Sequence, residues 1–260
     1  MVKINRNFLE QINFDSGLPG GLAMVVHSFE EPGEYEVSFV RDDQVTDRVP
    51  LMVIGEPAEE ETYQKRPRPD RGFEPPPDQV TIELGQSRRA LLEPPLGELE
   101  QPFLVRAGGY TAFTAARRED SSAIIVHKKD AGGKDDSLDS RRLNAPDTFA
   151  VTLVRPGAYS LQNVLTGAEG RIQVAYPVVG KERYRPPAPV SVECTGEGFR
   201  PGAIDLKPAQ GIIFHIQTPS RIQIELVEPD DGPGGPRPPK IAGWRKSRVE
   251  KQTDQGNPKG

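Results

Sequence analysis

Apolar and polar residues alternate along much of the chain. They do so at Phe149, Val151 and Leu153, at Tyr159 and Leu161, and at Ile172, Val174 and Tyr176. A period of two puts these side chains on one face of a strand, so the stretch predicts strands with one buried side. Pro156-Gly157 supplies the turn between the first two, because proline fixes φ and glycine tolerates positive φ. The prediction is a hairpin followed by a third strand, the closing half of a β-sandwich.

The pattern occurs twice. Leu22–Phe29, Glu34–Phe39 and Val49–Ile54 repeat it, and Pro32-Gly33-x-Tyr35-x-Val37 lies over Pro156-Gly157-x-Tyr159-x-Leu161 at an offset of 124. A second pattern opens with Val80-x-Ile82-x-Leu84 and continues through Phe103–Phe113 and Ala123–His127. It returns at an offset of 110 as Val190-x-Val192-x-Cys194, followed by Gly202–Leu206, Gly211–Ile216 and Arg221–Leu226. The chain therefore reads as a Pro-Gly-x-Tyr half, an opening half, and the same two again. That order predicts an internal duplication. The first 19 residues are less regular: Ile4, Phe8, Leu9 and Ile12 have helical spacing, and Gly17–Gly21 ends whatever forms there.

Composition supports an all-β fold with many turns. Only 35% of the 260 residues are hydrophobic, while 27 prolines and 26 glycines suit short strands and linkers rather than a helical bundle. Two segments lack the apolar residues to build a core. Residues 57–78 are charged and Pro-rich, a linker with polyproline-like stiffness, and 229–260 read as a flexible C-terminal tail.

Residues 79–178, an opening half followed by a Pro-Gly-x-Tyr half, resemble a cupredoxin-type Greek-key β-sandwich. Val80, Ile82, Leu84, Gly108-Gly109, Phe113, Pro156-Gly157 and Tyr159 carry the resemblance. It implies two cupredoxin-like domains, the second assembled from residues 20–56 and 186–228. Those terminal halves would close on each other in one chain or by strand exchange between chains. A further partition takes 22–128 and 147–228 as consecutive domains with unusual strand order; the terminal pairing is the expectation favoured. The resemblance also implies a copper site of two histidines, a cysteine and a methionine. After the hairpin, Leu161–Gly170 offers none of these, so no metal and no cofactor are expected.

Candidate chemistry is sparse. His27, His127 and His215 are far apart, each within a predicted strand, and read as strand residues at the edge of the core. Cys194 shares a face with Val190 and Val192 and reads as a buried thiol. Ala131-Gly-Gly-Lys134 lacks the spacing of a phosphate-binding loop. No catalytic residues are assigned, and the chain is read as a non-enzyme.

The net charge of −5, with both signs mixed, gives no electrostatic case for nucleic acid, and no apolar run is long enough for a membrane span. The N-terminus shows no signal-peptide core, so the compartment is the cytoplasm by default unless the chain is a processed exported one. Within the tail, Trp244, Arg245, Lys246 and Arg248 form an apolar-basic cluster suited to binding a partner. The expected function is structural or assembly work through protein–protein contacts, with protein partners that include a second copy (a homo-oligomer). The alternative is an accessory subunit of a larger complex, docked by the tail.

Overall fold

The structure is a computed structural model, and it describes residues 10–55, 76–84, 102–115, 121–129, 136–176 and 184–230. Among them the regular elements are β-strands and one 3-10 turn, Ser140–Arg142, so the fold is all-β as the alternation predicts. The first half of the chain contributes β1 (Asn13–Asp15), β2 (Ala23–Ser28), β3 (Gly33–Arg41), β4 (Gln44–Ile54) and β5 (Gln79–Leu84). It continues with β6 (Phe103–Arg106), β7 (Tyr110–Ala115), β8 (Ala123–Lys128) and β9 (Asp136–Asp139). The second half contributes β10 (Thr148–Thr152), β11 (Gly157–Asn163), β12 (Glu169–Val174) and β13 (Val190–Thr195). The last strands are β14 (Gly198–Arg200), β15 (Ala203–Leu206), β16 (Gly211–Ile216) and β17 (Ile222–Pro229).

These strands form three sheets. A seven-stranded central sheet runs β14-β13-β16-β10-β2-β7-β5. One flanking sheet runs β6-β4-β3-β8-β9 and the other β15-β12-β11-β17-β1. Residues directly opposite each other in a ladder share a face. Val25 of β2 is opposite Phe149 of β10, and both are buried. The two flanking sheets therefore lie on the same side of the central sheet, and its other side is outward. Inward residues of all three sheets, from Phe39 and Phe113 to Phe214 and Ile224, belong to one hydrophobic cluster.

The strand pairing corrects the expected domain partition. Among the described residues no ladder joins 20–56 to 186–228, and none joins the strands of 79–139 to those of 148–178. Instead β3 pairs with β8 and β2 with β7, while β11 pairs with β17 and β10 with β16. Each Pro-Gly-x-Tyr half pairs with the opening half that follows it, and the two halves share the central sheet and one hydrophobic cluster. By apolar pattern either opening half can complete either hairpin, so the sequence leaves the choice open. Chain length favours the near one: Gln79 follows Ile54 after 24 residues and Val190 only after 135. Closing the longer loop costs about 1.5 kcal/mol more. The linker expected at 57–78 lies outside the described residues up to 75, and the tail expected at 229–260 lies outside them from 231 onward, while its first residue, Pro229, still belongs to β17.

Apart from β14, the two halves share a pairing pattern among the described residues. β5 runs parallel to β7 as β13 does to β16, and β6 runs parallel to β4 as β15 does to β12. Tyr35 and Tyr159 each donate from the hydroxyl to a carbonyl four residues upstream, Glu31 O at 2.8 Å and Arg155 O at 2.7 Å. This is a tyrosine corner, which ties the start of a sandwich strand to the loop before it. Gly33 and Gly157 precede them with φ of 152° and 142°. At Gly157 a Cβ would meet the Glu228 carbonyl oxygen and the Leu226 side chain, so glycine is required there for both space and backbone.

Candidate interaction site

The halves meet where β2 pairs antiparallel with β10, and the register is centred on Val25 opposite Phe149. Those two positions are themselves related by the offset of 124, so the ladder has a local two-fold at its centre. At one end of this ladder, His27 Nδ1 lies 2.6 Å from Asp147 Oδ1. Only 9% of His27 and 3% of Asp147 are exposed. The other carboxylate oxygen of Asp147 accepts from the Asn144 amide at 2.8 Å, which fixes the turn entering β10. The His27 ring packs edge-on to Phe29, which packs edge-on to Tyr35. On the far side of His27, Thr111 sits directly across the ladder, and its buried hydroxyl has no hydrogen-bond partner. This row braces the junction: it links the two halves through one buried, hydrogen-bonded pair.

A second tie is reciprocal. β1 leads into β2 yet pairs with β17 of the second half, and β9 leads into β10 yet pairs with β8 of the first. Both arms end in Asp-Ser. Asp15 accepts from the Gly17 amide and Asp139 from the Arg141 amide; Ser16 accepts from Ile222 N and Ser140 from Ile124 N. Asp15 also takes two hydrogen bonds from the Arg221 guanidinium, at 3.0 and 2.8 Å. Asp15 holds Arg221 above its ordinary pKa. Asp15-Ser16 and Asp139-Ser140 are again 124 apart, the interval of the Pro-Gly-x-Tyr repeat. Extending that alignment upstream finds them in the sequence. The His27–Asp147 pair carries no comparable signal, because its members are 120 residues apart in different strands.

A cleft of about 640 Å³ opens beside the arm, lined by Gln11, Asp15, Arg41, Gln162 and Gln223 among others. Several of its polar groups are committed to neighbours. Gln11 bonds Gly20 O and Leu22 N, Arg41 bonds Ser121 O, and Gln223 bonds Asp15. They stabilise the arm rather than converge on a reacting group.

The sheet surfaces differ in charge. The outward sides of the flanking sheets carry Glu34, Glu36 and Arg48 on one, and Arg171, Asp205 and Glu225 on the other. On the central sheet, the outward positions of β7, β2, β10 and β16 carry no Asp, Glu, Lys or Arg. Met24, 39% exposed, is cross-strand from Ala150, which is cross-strand from Ile213. Glu83 of β5 and Glu193 of β13 stand at the flanks of this surface.

Of the residues singled out in the sequence, Trp244, Arg245, Lys246 and Arg248 lie outside the described residues. Cys194 is fully buried, and burial pushes its thiol up to about 12. All three histidines are in strands. His127 and His215 point away from the core, but His27 does not sit at its edge: it points inward, and Asp147 makes its burial tolerable. Among the described residues, no group of three or more His, Cys, Asp or Glu is placed to hold a metal ion, and no helix is long and apolar enough to cross a membrane. No family model, curated protein or solved structure matches this chain.

Proposed function

We propose that the chain is a non-catalytic structural or assembly protein that acts through protein–protein contacts. We also take its matched halves to be an internal duplication of one Greek-key sandwich of cupredoxin-like type. The observation that carries this reading is the use made of the buried polar groups. The His27–Asp147 pair, the two tyrosine corners and the two Asp-Ser arms all hold one frame together. Of these groups Asp15 borders the cleft, and its carboxylate is committed to Gly17, Arg221 and Gln223. A frame braced in this way presents sheet surfaces in fixed positions, which is what a contact protein requires.

The second reading is an accessory subunit docked by its tail, and the basic and aromatic character of Trp244–Arg248 favours it. Solution mass separates the two. A body-driven assembly protein forms a multimer whose mass is unchanged by Trp244→Ala. A tail-docked subunit is a monomer that loses its partner with the same substitution. A monomer indifferent to Trp244→Ala in every binding assay would contradict both.

A further inference from the structure

We propose that the outward face of the central sheet is a self-association surface, and that its occupant is a second copy of this chain packed face to face. The inference rests on the assembly reading above and names its partner.

Charge distribution is the first argument. The chain is 27% charged. On β7, β2, β10 and β16 there are twelve outward positions, where that composition would place about three charged residues; there are none. The flanking sheets, made from the same chain with the same alternation, do carry charges outward. Depletion of charge at the centre with charges at the margin is the composition of an interface core and rim. Glu83 and Glu193 occupy the margin here.

Size and symmetry select a second copy. Seven strands at about 4.8 Å spacing span roughly 30 Å, and five or six residues at about 3.3 Å each span roughly 17–20 Å. Two such faces together bury about 1,000–1,200 Å², which reaches the lower bound for a specific interface. The face is organised about the local two-fold of the β2–β10 ladder, so its two sides offer matched surfaces to an isologous partner. A chain of net charge −5 meets its own copy there without bringing like charges together at the centre. Aligned packing of two sheets is a standard solution for such faces.

The test is sedimentation velocity on the full chain over a concentration series. It compares the wild type, Met24→Glu, Ala150→Arg, and the control Ser160→Glu on the outward side of a flanking sheet. Circular dichroism shows that each variant is folded. The expected result is a wild-type dimer, at least a tenfold weaker dimer in both face variants, and an unchanged control. A multimer that ignores both face variants would overturn this inference while leaving the assembly reading intact. A wild type that is monomeric throughout would overturn the second copy as occupant, and self-assembly with it. In that event, shielding of Met24 in the monomer would assign the face to a segment of the chain itself, and exposure to a different protein.

Discussion

Tyr35 and Tyr159 differ from the buried phenylalanines in having a hydroxyl to place, and both place it on a carbonyl four residues back. Thr111 is the opposite case, a buried hydroxyl with nothing to bond. The two should respond oppositely to removal of oxygen. Tyr159→Phe leaves the Arg155 carbonyl short of a donor and is expected to cost about 1–2 kcal/mol. Thr111→Val replaces an unsatisfied hydroxyl with a methyl of the same shape and is expected to be neutral or stabilising. Urea midpoints measure both.

Alkaline pH probes the same residues. Burial pushes the Tyr159 hydroxyl and the Cys194 thiol each up to about 12 in the folded chain, from ordinary values of 10.0 and 9.0. Their contribution is fully present below about pH 9, where both groups are neutral in either state. It is lost as pH rises toward about 12, because the unfolded chain ionises first. The urea midpoint should therefore fall between pH 9 and 11, and Cys194→Ala should reduce that fall.

Among the elements, the β2–β10 ladder carries the connection between halves, and His27–Asp147 is its buried polar component. Removing one partner strands the other in the core, so Asp147→Ala is expected to cost about 3 kcal/mol or more. Replacing both, as His27→Phe with Asp147→Leu, should cost less than the two single changes added together. Thermal denaturation of the cycle provides the comparison. Additive losses would show that the pair is not coupled.

This ladder also shows what could be read from the chain beforehand. Alternation located most strands from Ala23 onward because each has one buried side, but not β9, in a stretch that reads as polar, nor the three-residue β14. Pro-Gly-x-Tyr marked where β3 and β11 begin, but the hairpin expected across it does not form: β2 and β10 belong to the central sheet, β3 and β11 to the flanking sheets. Strand partners were not legible, since two copies of the same apolar pattern can pair in more than one way. β1 was not foreseen: at three residues it shows no period, and its partner β17 is some 200 residues away. The turn at Asp42-Asp43, with φ of 50° and 59° at its two residues, lacked the glycine that usually announces it. The His27–Asp147 contact depends on the register of two strands, which no local pattern encodes.

For the molecule as a whole, completion of each hairpin by the following opening half changes where assembly must come from. With both sandwich halves closed within one chain, strand exchange is no longer needed to cover an apolar face. The outward side of the central sheet keeps an uncharged centre, with Glu83 and Glu193 at its flanks. Oxidative footprinting tests that account most directly, because methionine side chains report burial and the chain supplies its own control. Met24 lies on the outward central face and Met52 on the outward side of a flanking sheet. Hydroxyl-radical oxidation of both is followed by mass spectrometry as the full chain is diluted. The account predicts that Met24 is protected when concentrated and becomes reactive on dilution, with Met52 constant. Met24 equally reactive at every concentration, in a sample shown to be multimeric, would contradict it.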